Sequence, residues 1–456
     1  MIVIEGCAVA TVDGEGSEHS SGHLVVEEER IVAVGPGPAP ADLPGAAGAS
    51  RVDASGCLAT PGLVNSHHHL YQWITRGLAQ QANLFEWLAE LYPVWARLDA
   101  DLELAAARAA VAALLTSGCT TSTDHHYVFP AGAGDLLATS IEAAASLGIR
   151  FHPTRGSMDL GQSRGGLPPD EIVEDRDTAL AATEAAIDRW HDPGPGAMVR
   201  IAVAPCSPFS VTGEMMTEAA ALARRRGVRL HTHLAETVEE QQFCRQRFGR
   251  TPAEYLDGLG WLGDDVWLAH CVHLEATAVR RFGRTGTAVA HCPSSNARLG
   301  SGIAPVADLL EADVPVGLGV DGTASNEAGQ LGPELRQALF AARLRGGAAA
   351  LTARQALALG TIGGARCLGR ADELGSLEPG KLADVALWRL DGLGHADIAD
   401  PVAALVLGPP APLELLMVGG RVVVERGELR TGSEQDIARQ ASAASRRLRT
   451  LAGVTA

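Results

Sequence analysis

Lysine is almost missing from this 456-residue sequence: Lys381 is the only one. The central part of the chain therefore has no Schiff-base lysine and no lysine carbamate to bridge two metal ions. A Gly-Lys-Ser/Thr phosphate loop is excluded as well. Cysteines at metal-binding or redox spacing are missing too. The eight present (7, 57, 119, 206, 244, 271, 292 and 367) are scattered without a C-x-x-C pair. That pattern reads as buried thiols in a reducing compartment. Positive charge is scarce: 37 Lys+Arg against 54 Asp+Glu leave a net charge of -17. Nucleic acid and anionic membrane are disfavoured as partners, because both require a basic face. No apolar run approaches a membrane span, and the longest helical one, Ala105 to Leu115, is broken by Arg108. The start, Met1 to Gly6, shows no basic region leading into an apolar segment. A soluble, cytoplasmic protein is expected.

What is present reads as globular: 46% hydrophobic and 20% charged residues, with length for more than one domain. Residues 1–57 carry short strands (Ile2–Ile4, Leu24–Val26, Ile31–Val34, Arg51–Asp53) separated by Gly and Pro clusters, notably Gly35 to Gly45. From 58 the pattern becomes strand, loop, helix, repeated. Apolar runs fall at 62–66, 118–124, 149–155, 198–205, 228–234, 265–271, 286–291 and 315–321. Helical segments intervene at 102–116, 171–190, 214–226, 274–282 and 335–345. Eight such units over 58–371 predict an α/β fold, a (β/α)8 TIM barrel. A doubly wound sheet is the alternative, but its nucleotide loop is missing. Strands return over 372–432, after the turn Glu378-Pro379-Gly380-Lys381. The two chain ends are expected to build one composite β-sandwich. Residues 433–456 read as a polar, Arg-rich helical tail, solvated or at an interface.

Active sites of such barrels lie at the C-terminal ends of the strands. The first strand ends in Asn65-Ser66-His67-His68-His69. Side chains alternate along a strand, so His67 and His69 share a face. The fifth ends His231-Thr232-His233-Leu234-Ala235-Glu236, the sixth Ala269-His270-Cys271, the eighth Val320-Asp321-Gly322. Each ending alone is a solvated strand exit. Four on one rim suit a catalytic zinc or ferrous ion with an exchangeable water. His67, His69, His233 and Asp321 are the expected ligands. His231 faces the same way as His233 and is its rival; His233 is preferred because it lies nearer the strand end. Otherwise His231 is a core imidazole hydrogen-bonded below the metal. Glu236 is the expected proton shuttle to a substrate ring nitrogen, although it also suits a helix N-terminus. His270 would stand near the attacking water. His291 reads as structural.

These motifs, with Pro61 to His69, His291-Cys292-Pro293-Ser294-Ser295-Asn296 and Leu377 to Asp384, resemble the amidohydrolase superfamily in its cytosine deaminase/chlorohydrolase branch. The likeness covers essentially the whole chain and implies one divalent metal, zinc or iron. Further stretches resemble the 8-oxoguanine deaminases: His67 to Gln72, Leu84-Phe85-Glu86-Trp87-Leu88, Ser117 to Thr121, Arg155 to Met158, Gly165 to Asp170 and Ala204 to Ser210. The likeness implies a hydrolytic deaminase releasing ammonia from an aminated, purine-like heterocycle, and a small-molecule partner in a homo-oligomer. An s-triazine aminohydrolase or a pterin deaminase is the alternative. Within it Gln72 and Arg155 are the expected contacts to ring carbonyls, and Trp87 either covers the base or packs in the core. The other zinc deaminase fold needs Pro-Cys-x-x-Cys, which Pro205-Cys206-Ser207-Pro208-Phe209 lacks.

Overall fold

The computed structural model describes residues 1–40 and 48–454. The end of the expected Gly35–Gly45 loop, from 41 on, lies outside them, as do the last two residues of the tail. Eight parallel strands close into a barrel: β1 (Leu63–Asn65), β2 (Cys119–His126), β3 (Arg150–Ser157), β4 (Ala202–Pro205), β5 (Leu230–Leu234), β6 (Val266–His270), β7 (Ala288–His291) and β8 (Val316–Leu318). Closure is made by Leu318 on β8 beside Asn65 on β1. Every barrel-strand residue is buried, because helices cover the outside and side chains fill the inside. All eight expected strands form where the apolar runs place them.

The two chain ends build one nine-stranded sheet. Ile2–Ala10 pairs with Glu18–Glu27, Ser50–Asp53 and Cys57–Pro61, and Cys57–Pro61 pairs with Val385–Arg389 of the C-terminal part. The sheet folds back on itself: Ile31 donates to Lys381 O, and Ala383 to Glu29 O. Ile4, Leu24, Ile31, Val385, Leu387 and Met417 fill the enclosed core. The expected sandwich is thus two halves of one continuous sheet. Because Cys57–Pro61 is hydrogen-bonded into it, the chain crosses to the barrel at Gly62 rather than at 57/58.

The sheet is pinned to the barrel. Arg150 on β3 makes a buried two-pronged ion pair with Asp384, at 3.3 and 3.2 Å. Trp388 donates to Thr60 Oγ1 and lies against Gly118, where a Cβ would come within 2.2 Å of the indole. The C-terminal helix, Glu434–Ala452, is not a solvated tail. Ile437, Ala441, Ala444 and Leu448 recur at helical spacing and are buried, and the helix packs on Ala100–Thr116. Among the described residues no helix is long and apolar enough to cross a membrane. All eight cysteines are free and buried.

Candidate metal centre and active site

His67 and His69 leave β1 on one face and meet Asp321, which follows β8. Both Nε2 atoms approach Asp321 Oδ1, at 3.2 and 3.3 Å. His233, inward on β5, brings its Nε2 to 3.1 Å from that of His69. The outer nitrogens are committed elsewhere. His69 Nδ1 donates to His125 O at 2.6 Å and His233 Nδ1 to Cys206 O at 2.7 Å. Their Nε2 atoms therefore carry lone pairs that face each other without a proton to share, an arrangement a cation relieves. Four donors at ~2.0–2.1 Å from one ion in tetrahedral geometry lie about 3.3 Å apart. The observed separations match that spacing, so the residues fit a divalent ion.

His231 sits one layer lower. Its Nε2 meets His67 Nδ1 at 2.8 Å, its Nδ1 meets Trp267 O at 2.8 Å, and its ring stacks on Trp267. It thus occupies the lower position, and His233 the upper. His125 is close to the same histidines; its Nε2 donates to Ala204 O, its ring stacks on His233, and its Nδ1 is buried without a protein partner.

Backbone strain marks this rim. Ala235, His270, Cys271 and Asp321 all take positive φ (51°, 70°, 51° and 62°), a region non-glycine residues rarely visit. Each stands just at or after a strand end, and the turn aims the chain's polar groups across the mouth. Asp321 is held by Ser295 Oγ, donating to Oδ2 at 2.6 Å, and by the Gly322 amide, donating to Oδ1 at 2.7 Å. His270 Nδ1 meets Asn296 Oδ1 at 2.9 Å, leaving Nε2 at 3.6 Å from Glu236 and 3.8 Å from Asp321. Ser295 and Asn296 lie in the middle of a short helix, Pro293–Arg298, that follows β7. Their signal in the sequence is the polar run behind Pro293.

Glu236 does not cap the following helix. Thr237 is its N-cap, and Glu240 reaches back to the amides of Ala235 and Glu236. The Glu236 carboxyl is free to face the cavity, and its Oε1 is buried without a protein partner. Burial, and then the Asp321 charge, push it well above the usual carboxylate range. Burial likewise keeps His67 neutral, well below the usual imidazole range, and holds His233 at about 3. Burial works to raise Asp321, while Ser295 Oγ and the Gly322 amide, donating to its two oxygens, favour the charged form.

A cavity opens over this group. Leu84, Trp87, Leu88, Tyr127 and Phe209 form apolar and aromatic walls, and Gln72, Glu236 and His270 supply polar ones. Gln72 is buried with both amide atoms unpartnered and lines the cavity. Trp87 lines the cavity and packs on Trp95. Arg155 is not brought to the cavity. Its guanidinium is taken by Glu174 at 2.8 and 2.7 Å and lies over the Phe129 ring. A guanidinium buried near a carboxylate at the right reach pairs with it two-pronged, which removes Arg155 as a substrate contact. His291 is buried at the end of β7 and does not line the cavity.

The sequence profile of the amidohydrolase family matches residues 58–423. The chain belongs to the amidohydrolase family. Members of this family are metal-dependent hydrolases. This amidohydrolase is 51% identical over 404 residues to 8-oxoguanine deaminase of Pseudomonas aeruginosa, covering 88% of the chain and 89% of that protein. It is 39% identical over 401 residues to isoxanthopterin deaminase of an unknown prokaryotic organism, covering 83% of each. Among solved structures it resembles a mutant atrazine chlorohydrolase from Arthrobacter aurescens TC1 complexed with zinc and atraton. That likeness has a TM-score of 0.92 and 36% identity, covering 98% of this chain and 100% of the other.

Proposed function

We propose that this amidohydrolase is a hydrolytic deaminase that releases ammonia from 8-oxoguanine and yields urate. One observation carries the reading: the Glu236 carboxyl, with Oε1 buried and unpartnered, lines an aromatic-walled cavity together with His69, His233, His270 and Asp321. The 51% identity to 8-oxoguanine deaminase directs the substrate assignment. His67, His69, His233 and Asp321 would hold one divalent ion, zinc, with iron(II) as the other choice. When bound, that ion supplies Lewis acidity that makes water nucleophilic near neutral pH.

The rest of the chemistry belongs to side chains. Asp321 is ionised and accepts a proton from the attacking water. The oxygen adds to the ring carbon bearing the amino group. Glu236 gives its proton to the adjacent ring nitrogen, so no negative charge accumulates there. His270, within reach of both carboxyls, holds the oxygen as the tetrahedral carbon forms. Asp321 returns the proton to the amine, ammonia leaves with the C–N electron pair, the hydroxyl proton passes to Glu236 and restores its acid form, and a ring carbonyl remains. Trp87, Tyr127 and Phe209 sandwich the heterocycle, and the free carboxamide of Gln72 reads its ring carbonyl or N–H.

The relatives favour a second reading within the same chemistry, loss of the amino group from a pterin or of a substituent from an s-triazine. A product screen over 8-oxoguanine, guanine, isoxanthopterin, cytosine and hydroxytriazines tests both. Ammonia from 8-oxoguanine above the others supports the first; alkylamine from a hydroxytriazine supports the second. A homo-oligomer in the cytoplasm completes the proposal, and light scattering on the purified protein checks the assembly.

A further inference from the structure

The floor of the centre contains a residue with no part in the chemistry above. We infer that His231 is a positioning residue that presents His67 to the metal, by fixing which ring nitrogen of His67 carries the proton. The inference rests on the reading of His67 as a ligand.

The proton positions are fixed from the floor of the centre upward. Trp267 O is a backbone carbonyl and can only accept, so His231 Nδ1, at 2.8 Å, must be the donor. A neutral His231 then keeps a lone pair on Nε2. That atom lies 2.8 Å from His67 Nδ1, which must therefore donate. With its proton on Nδ1, His67 keeps the lone pair on Nε2, the atom facing Asp321 Oδ1. His69 and His233 reach the same state by donating to backbone carbonyls. His67 alone among the three relies on another side chain, so its tautomer can be changed by substitution.

His231 is also held in place. It is fully buried and stacks on Trp267 with ring centroids 4.4 Å apart and planes 17° from parallel. Trp267 Nε1 donates to Ser66 O at 3.0 Å, on the residue before His67. One tryptophan therefore fixes the His67 backbone through its indole N–H, and the His67 ring through its carbonyl and His231. Partners of this kind that orient a ligand histidine typically contribute 10–100-fold to metal affinity.

The test measures metal retention rather than turnover. Zinc-loaded wild type, His67→Ala, His231→Phe and His231→Gln are titrated with a competing chelator, and metal content is read by mass spectrometry. Phe keeps the stacking and loses both hydrogen bonds. Gln can accept from His67 while donating to Trp267 O. His231→Phe is expected to lose metal at about 10–100-fold lower chelator activity than wild type, with His231→Gln restoring most of the difference. If the Phe variant does not fold, His231→Leu replaces it. Wild-type retention in the variant lacking both bonds overturns the inference, and so does equal weakening by Gln, which would make the effect one of packing. Metal retained by His67→Ala would instead overturn the ligand reading itself.

Discussion

At the residue scale, the site depends on groups whose protonation is set by burial. Glu236 is proposed as the proton donor because its carboxyl is buried beside Asp321. Glu236→Gln keeps shape and hydrogen bonding but has no proton to give. It should lower kcat by about 10²–10⁴-fold with metal content unchanged, measured by ammonia release and metal analysis. Unchanged turnover would remove Glu236 from the mechanism. Gln72 offers a second test. Gly322 lies so close that a Cβ would come within 1.8 Å of Gln72 Oε1. Gly322→Ala should therefore push Gln72 aside and raise KM while metal stays bound; an unchanged KM would mean that Gln72 does not touch the substrate. The gathering of His67, His69, His233 and Asp321 at one rim was legible in the sequence because a strand fixes which side chains share a face. Arg155 was not, because its partner Glu174 lies nineteen residues on, and nothing local announces that the two will meet.

At the element scale, strand ends were readable and several helices were not. Short apolar runs bounded by Gly and polar residues mark buried parallel strands, and all eight are where those runs stand. The helix Leu84–Trp95 carries Pro93 in its interior, which argues against a helix locally. An Asn83 to Glu86 capping box starts it, and burial of Trp87, Leu91 and Trp95 holds it, so tertiary packing outweighs the local signal. The C-terminal helix was legible as a helix but not as a docked one, since half of its buried stripe, Ala441 and Ala444, is alanine. Leu448, fully buried, is its largest anchor after Ile437. Leu448→Ala should cost about 2–5 kcal/mol in urea unfolding if that face is packed, and almost nothing if the helix is solvated.

For the whole molecule, the barrel holds buried acids away from the metal centre as well as at it. Burial, followed by the charge of Asp124, pushes Glu103 up to about 8, and burial pushes Asp124 up to about 7. A carboxyl raised in the folded state binds its proton more tightly there than in the unfolded chain. Its contribution is present in full below its ordinary value and is lost as pH rises through the folded value. Stability should thus fall between about pH 5 and 8. Glu103→Gln, locked neutral, should gain on wild type across that range in urea midpoints; a pH-independent difference would contradict the assignment. The composite sheet was legible as two strand groups flanking a barrel. Its fold-back was not, because the bonds from Ile31 and Ala383 join segments about 350 residues apart.

The most direct measurement is product formation from 8-oxoguanine by protein carrying one equivalent of zinc or iron(II). Equimolar ammonia and urate are expected, falling away together when His67→Ala removes the metal. Metal-loaded protein that leaves 8-oxoguanine intact, or that turns it over equally well after loss of the ion, would contradict the proposal.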